Sequence, residues 1–389
     1  AFAVMPMVAS FAAEDDEVAI RRTTRMGLWL SLGFGALALP LLLFSQPLLR
    51  LLGQGEVVAQ QAAAYLSVAG WGILPALLVM VLKSYLAALE RTQVVLGITL
   101  VAAAVNALAN YAFIFGNWGA PELGIVGAAL ASVTTQLVSL VGVVIYILVV
   151  VPQHQLFVRF WRADWNMFGR VFRLGLPIGL TTLSEVGLFA AAAVMMGWLG
   201  TIPLAAHGIV MQLASITFMV HLGFSNVATI RAGNALGRRD TVHMARGASI
   251  VTAMSVAFAA MTIAIFVIWP EPLILVFMQE NEPARAEILA VGIGLLAAAA
   301  LFQLVDGAQV IALGVLRGVQ DTTVPMWMAA FSYWVVGVPC SYLLGFVLGW
   351  GGVGVWGGLV IGLAVAAVLL NVRFWRVTMP ALRKTTQHT

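Results

Sequence analysis

Charge is what this sequence has least of. Only 9% of its 389 residues are Asp, Glu, Lys or Arg, against about 25% in a soluble globular domain. Such a chain cannot cover a water-facing surface, which excludes a soluble enzyme, a nucleic-acid-binding domain and a disordered segment. Cysteine is confined to Cys340, so neither a disulfide framework nor a cysteine metal site is available. No phosphate-cradling Walker motif is present, so ATP is not the direct energy source. No Ser/His/Asp order and no histidine cluster point to a membrane hydrolase. A membrane acyltransferase would need a catalytic His with a carboxylate near an interface, and no such pair occurs. The chain is therefore not read as an enzyme. The ten-residue alternating segments of a transmembrane β-barrel are also missing.

What is present is apolar: 62% of residues, with a mean hydropathy of +1.00. A helix needs ~20 apolar residues to cross a ~30 Å hydrocarbon core. Ten such runs occur, at 26–45, 61–82, 94–115, 124–151, 172–199, 204–230, 247–269, 288–315, 325–348 and 353–374. Residues 1–13 read as the end of an eleventh helix. They lack an initiator Met and a basic leader, so they are not a signal peptide.

The basic residues fix the orientation. Alternate connections carry Arg21, Arg22 and Arg25; Lys83 and Arg91; Arg159, Arg162, Arg170 and Arg173; Arg231, Arg238, Arg239 and Arg246; Arg317; and Arg373, Arg376, Arg383 and Lys384. These are 18 of the 20 basic residues, and the other side holds only Arg50 and Arg285. The positive-inside rule makes the first set cytoplasmic, with the C-terminus inside. The net charge of +4 thus reports topology, and no nucleic-acid partner is implied.

Segments recur at an offset of roughly 224–230 residues. Glu14-Asp15-Asp16-Glu17-Val18 aligns with Arg238-Arg239-Asp240-Thr241-Val242, Gln46-Pro47-Leu48-Leu49 with Glu271-Pro272-Leu273-Ile274, and Leu123-Gly124-Ile125-Val126-Gly127 with Val353-Gly354-Val355-Trp356-Gly357. Each match is short, but their order is shared. The offset spans an even number of helices, so the halves are parallel repeats. On this alignment the first copy lacks about 50 residues, one helix and most of the next, and the whole protein has 6+6 spans. The expected fold class is all-α: a polytopic membrane bundle of two pseudo-symmetric six-helix lobes, with eleven helices visible and the first partial. Residues 1–151 form the N-terminal lobe, 152–171 a cytoplasmic linker, 172–376 the C-terminal lobe and 377–389 a cytoplasmic tail.

Of 16 Asp and Glu, only Glu185 and Asp306 sit well inside spans. A carboxylate in hydrocarbon costs several kcal/mol, so such groups usually face a cavity on an ion or substrate path. Each is either a proton carrier or a hard oxygen ligand for Na⁺, with a structural interhelical hydrogen bond as the plain alternative. They lie 13 residues from the start of one span and about 10 from the end of another, or ~20 and ~15 Å deep. The two therefore fall at similar depth. His221 shares that depth as a relay, a substrate contact or a neutral helix-bound ring. His207, near the outer start of its span, reads as structural. Asn106 and Asn110 are i,i+4 on one face, either around a cation or as interhelical glue. Gln212, Asn226 and Gln303 belong to the same class. Pro75 and Pro177 should bend their spans. The 16 Met and 20 Phe mostly pack or face lipid, and a minority suits an adaptable apolar pocket. Gly352-Val353-Gly354-Val355-Trp356-Gly357 spells a dinucleotide fingerprint, but it opens a membrane helix rather than a βαβ unit. The acidic run Glu14-Asp15-Asp16-Glu17 reads as a solvated loop.

Several segments together resemble one family. They are Ala205-Ala206-His207-Gly208-Ile209, Thr229-Ile230-Arg231-Ala232-Gly233-Asn234-Ala235-Leu236-Gly237, Leu313-Gly314-Val315-Leu316-Arg317-Gly318-Val319-Gln320-Asp321-Thr322, Asn106-Ala107-Leu108-Ala109-Asn110-Tyr111 and Leu174-Gly175-Leu176-Pro177-Ile178-Gly179 leading to Glu185. They are similar to the fifth, seventh, eighth and tenth helices of multidrug and toxin extrusion (MATE) transporters. The resemblance runs along nearly the whole chain. It implies twelve helices in two lobes, an outward-facing V-shaped cleft, and cation-driven export of cationic, amphipathic small molecules from the bacterial inner membrane by a monomer among membrane lipids. It puts Glu185 and Asp306 on the family's carboxylate positions, as in its NorM-like branch, and Asn106 and Asn110 on a second cation site. Gln212, Gln303, His221 and Phe302 are then candidates for substrate contact or relay. No cofactor is implied beyond a coupling ion, H⁺ or Na⁺. Asn110 departs from the Asp of another branch, Phe302 from the Tyr of some members, and His221 from a common Pro. The other reading within the superfamily is a lipid-linked sugar or polysaccharide flippase, which should line its path with several Arg; none lies mid-span here.

Overall fold

The computed structural model describes residues 2–51, 53 and 55–387. Residues 1, 52, 54, 388 and 389 lie outside the described residues, among them the first of the expected N-terminal lobe and the last two of the expected tail. The described chain is mostly helical. In order it forms α1 Val4–Ala13, α2 Glu17–Leu43, α3 Ser45–Leu51, α4 Glu56–Ala69, α5 Ile73–Ala88, α6 Thr92–Phe115, α7 Ile125–Val150, α8 Trp165–Leu199, α9 Thr201–Gly237, α10 Thr241–Ile268, α11 Pro270–Leu275, α12 Arg285–Gly318, α13 Thr323–Ala330, α14 Val338–Tyr342, α15 Gly351–Val372 and α16 Met379–Gln387. Ten elements are long and apolar enough to cross a membrane, and α1 is a shorter apolar helix. This is a multi-pass membrane protein of two helical units, the first up to Gly175 and the second from Leu176 onward.

The helices outrun the apolar stretches that reveal them. The expected spans 172–199 and 204–230 are the 35-residue α8 and the 37-residue α9. The bilayer sets only the apolar length, whereas the hydrogen-bond ladder continues into the interface until a cap stops it. The expected span 61–82 is two helices, α4 and α5, joined by a 3₁₀ turn at Gly70–Gly72. Pro75 has no N–H to give to the preceding turn, so the regular ladder breaks there. Pro177 lies inside α8 without interrupting it, and its carbonyl accepts from Thr181 Oγ1 at 2.8 Å.

The repeat has a local structural signature. Asp16 caps α2 by accepting from the Ala19 N–H, and Asp240 caps α10 by accepting from the His243 N–H. Each long helix is then followed by a short one, α3 or α11, with a proline near its start. These short helices after the 26–45 and 247–269 runs were not legible as separate elements. They are too brief to carry a periodicity.

In the first unit α2 packs on α5, α4 and α5 on α7, and α6 on α7. Residues 154–164 lie against the start of α2 and the end of α5. Buried Tyr85 donates its O–H to His154 Nδ1 at 2.5 Å. Burial holds the His154 ring below its usual pKa, so the neutral nitrogen is free to accept. Arg25 donates to the carbonyls of Leu156 (3.3 Å) and Val158 (2.6 Å), and Trp29 Nε1 donates to Phe160 O at 3.0 Å. Arg22 pairs with Asp164 and holds that carboxyl below the usual range.

In the second unit α12 packs against α9, α10 and α15. Lipid supplies no hydrophobic drive between helices, so close backbone approach and hydrogen bonds must hold them. Small residues on α12 permit this. A Cβ on Gly314 would lie 2.4 Å from Ser225 Oγ and 2.5 Å from its carbonyl oxygen, and one on Gly318 would lie 2.5 Å from Ala232 Cβ. Ser225 Oγ donates to Val310 O at 2.7 Å and Thr229 Oγ1 to Gly314 O at 2.8 Å. On the C-terminal side, Arg373 clamps Asp321 through Nε at 2.7 Å and Nη2 at 3.0 Å. Gly314→Ala should therefore destabilise the second unit by ~1–3 kcal/mol through overpacking. Gly208→Ala on α9, where a Cβ meets open space, should be neutral or slightly stabilising. Thermal unfolding in detergent distinguishes them, and equal melting of the two variants would contradict the packing account.

Candidate functional site

Buried polar atoms without partners concentrate in one place. Apart from Ser45 Oγ, every such side-chain atom among the described residues lies on α8, α9 or α12: Glu185 Oε1, His221 Nε2, both amide atoms of Gln303, Asp306 Oδ1 and Gln309 Oε1. An unsatisfied buried polar group costs ~1–3 kcal/mol, so a cluster of them makes this region the candidate site.

Three of these residues are spaced by three along α12. Gln303, Asp306 and Gln309 are all buried, with at most 1% of their surface exposed. Spacings of three keep neighbouring side chains on one side of a helix. The face is held in place by the α9 contact. A Cβ on Gly307 would lie 2.7 Å from His221 Cε1 and 2.9 Å from Ser255 Oγ. Asp306 thus sits beside a position where α9, α10 and α12 converge.

Glu185 approaches from α8. It is half-buried, with Oε1 shielded from solvent. Asp306 lies within its electrostatic reach, and the Gln309 side chain is near it. Arg317, half-buried in the last turn of α12, is also within electrostatic reach of Glu185. Tyr333 is fully buried and near both carboxylates and Arg317, and its hydroxyl accepts from Gln309 Nε2 at 2.6 Å. Tyr333 lies in the π-helical turn Phe331–Gly337 between α13 and α14. That turn precedes Pro339, which cannot donate to the ladder, and such turns often re-aim side chains at functional sites.

Two carboxylates, a phenol, a carboxamide and a guanidinium of the second unit are therefore linked by electrostatic reach and by the Gln309–Tyr333 hydrogen bond. The sequence singled out the carboxylates. It missed Gln309, Tyr333 and Arg317. Gln309 was findable as the residue one turn from Asp306. Tyr333 was hidden because a π turn breaks the 3.6-residue spacing. Arg317 was read as a topology marker and within a family-like segment, because its place in the last turn of α12 does not reveal which residue of α8 its charge reaches.

The remaining candidates separate. His221 is fully buried and bonds through Nδ1 to Ser255 Oγ at 2.8 Å, with its ring edge-on to Phe258. The structure joins it to α10 rather than to a carboxylate. Phe302 is buried among rings, edge-on to Phe189 at 5.9 Å and Trp356 at 5.6 Å. Trp356 Nε1 donates to His207 Nδ1 at 3.1 Å, which makes His207 an anchor of that aromatic core. Gln212 is exposed and Asn226 half-buried on α9. In the first unit Asn110 Nδ2 donates to Asn106 Oδ1 at 3.0 Å, and Asn106 Nδ2 donates to Thr135 Oγ1 at 3.0 Å. The two amides thus form a chain with Thr135 of α7, another residue the sequence did not flag.

One family model, MatE, matches the chain over residues 1–112 and 177–343. A relative in Rhizobium meliloti (strain 1021), named a probable multidrug resistance protein NorM, is 47% identical over 377 residues, covering 96% of this chain and 81% of its own length. The chain belongs to the MatE family. A NorM protein of Agrobacterium fabrum (strain C58), named in the same way, is 42% identical over 374 residues, covering 96% of the MatE chain and 80% of its own. Solved structures share the fold at low identity. A MATE in a bent conformation superposes with a TM-score of 0.88 at 19% identity, covering 99% of this chain and 84% of that one. An outward-facing multidrug resistance MATE family transporter of the MOP superfamily gives 0.89 at 18% identity, with coverages of 98% and 84%. The two stretches matched by the MatE model fall one in each unit. The chain is thus a membrane transport protein rather than an enzyme. Among the described residues, no group of three or more His, Cys, Asp or Glu is arranged around a metal.

Removing the Tyr333 hydroxyl should leave the buried Gln309 amide short of a partner. Tyr333→Phe is expected to lower stability by ~1–3 kcal/mol in detergent unfolding. An unchanged melting temperature would show that the hydroxyl does not hold the pocket together.

Proposed function

We propose that this MatE chain is a multidrug efflux antiporter that exports cationic, amphipathic small molecules in exchange for H⁺ or Na⁺, with Glu185 and Asp306 as the coupling pair. The observation that carries this reading is the pair itself: two membrane-embedded carboxylates in electrostatic reach, each with an unpartnered buried oxygen. Like charges in an apolar setting repel, and a bound cation relieves that repulsion. Carboxylate, carboxamide and phenol oxygens are also the hard donors that Na⁺ prefers. Gln309 and Tyr333 position the pair, and Arg317 supplies the compensating positive charge when the cation leaves.

Exchange follows from linkage. A cation at Glu185 and Asp306 stabilises the state that binds the drug weakly, and the drug stabilises the state that binds the cation weakly. The cation enters from outside and the drug leaves outward. The chain then returns inward-open, releases the cation and takes up new drug. Asn106 and Asn110, with Thr135, form a second cation site in the first unit. Gln303 is the strongest of the other candidates for substrate contact, because its amide is buried and unpartnered; Gln212, His221 and Phe302 contribute less.

The same reading places residues 1–151 and 172–376 as the transport lobes, 152–171 as a cytoplasmic linker and 377–389 as a cytoplasmic tail. The chain works as a monomer in the bacterial inner membrane with its C-terminus inside. Asp306→Asn keeps the size of the side chain and removes its charge. It should reduce gradient-driven efflux of a fluorescent organic cation by ~10-fold or more, the scale of a lost coupling energy, with expression and melting temperature retained. Wild-type efflux in that variant would remove the assignment.

A further inference from the structure

A second polar region of the molecule lies far along the sequence from the carboxylates and has no part in the coupling. A cavity of about 500 Å³ opens in the first unit between the start of α2 and residues 162–166. Arg21, Arg22, Arg25 and Arg162 line it together with Trp165, and Asp164 is the only carboxylate among its lining residues.

The charges in this cavity do not balance. Asp164 is taken up by Arg22. Arg25 uses Nε and Nη2 on the carbonyls of Leu156 and Val158, which leaves its charge uncompensated and Nη1 available. Arg21 reaches only the Gln155 amide oxygen, at 3.4 Å. No carboxylate among the described residues forms an ion pair with Arg21, Arg25 or Arg162. Asp16 lies within electrostatic reach of Arg22 but is committed to capping α2. Arg21 and Arg25 are one helical turn apart, a repulsive spacing for like charges, and Glu17, one turn before Arg21, offsets part of that charge without forming an ion pair with it. Three guanidiniums without an ion pair lining one space of this size fit an anion with several oxygens, and guanidinium–phosphate contacts are charge-assisted.

The setting selects the source of the phosphate. The cavity sits where the apolar stretch of α2 begins. Trp161 and Trp165 on the adjoining segment are 77% and 70% exposed, and Val158 is also exposed. Exposed tryptophans favour the headgroup level of a bilayer, and basic pockets beside membrane helices bind phospholipid headgroups. We infer that this cavity binds the phosphate of an anionic phospholipid headgroup. The ligand stays in the leaflet, with its phosphate among Arg21, Arg25 and Arg162 and its glycerol end beside Trp165.

The test compares the chain purified from phosphatidylcholine vesicles with and without phosphatidylglycerol, counting retained lipids by native mass spectrometry. Phosphatidylglycerol should be retained by the wild type. Retention should fall by about 10-fold or more in R21A/R162A, which removes two charges that hold no ion pair. The control R238A/R239A removes the same charge from another connection and should retain lipid as the wild type does. Equal loss in both double variants would show diffuse electrostatic attraction and overturn the site. Binding of inorganic phosphate alone, with no phosphatidylglycerol retained, would assign the cavity to a free anion and overturn the lipid source. If the double variant does not fold, R162Q at the exposed Arg162 gives the same readout, with a loss of about fivefold.

Discussion

The cost of placing a carboxylate in hydrocarbon governs this molecule. Each such group costs several kcal/mol unless something compensates it. The chain carries two, Glu185 and Asp306, and brings them within electrostatic reach of one another. Proximity makes the cost worse unless a cation is near. Arg317, Gln309 and Tyr333 answer part of it, while Glu185 Oε1 and Asp306 Oδ1 keep no protein partner. A pocket half satisfied by its own residues is suited to an ion that comes and goes.

The scaffold around the pair has to be close-packed for that geometry to persist. α12 presents Gly307, Gly314 and Gly318 to α9, and the hydroxyls of Ser225 and Thr229 cross to α12 carbonyls. These contacts fix the rotation of α12 and so the direction of Asp306. The aromatic group of Phe302, Trp356 and His207 holds the same helix from its other side. In the first unit, by contrast, arginines of α2 hold the following segment through backbone carbonyls and Asp164.

Hydropathy made the spans legible, because apolar length is a direct consequence of bilayer thickness. Charge alternation separated their ends into two sets. Asp16 and Asp240 were visible as an aligned pair, and both cap helices. Glu185 and Asp306 stood out because no other carboxylate lies mid-span. Other features were not legible. The short helices α3 and α11 are too brief for periodicity. Tyr333 depends on a π turn that shifts its register. Arg317 depends on tertiary packing that brings Glu185 within its electrostatic reach, which spacing does not encode. Thr135 joins Asn106 only through tertiary contact.

The most direct test of the account is transport by the chain in liposomes under one gradient at a time. Efflux of a fluorescent organic cation is followed under an imposed Na⁺ gradient and, separately, under an imposed pH gradient. The account predicts efflux under one of them, which names the coupling ion. Folded protein that moves the cation under neither gradient would contradict it.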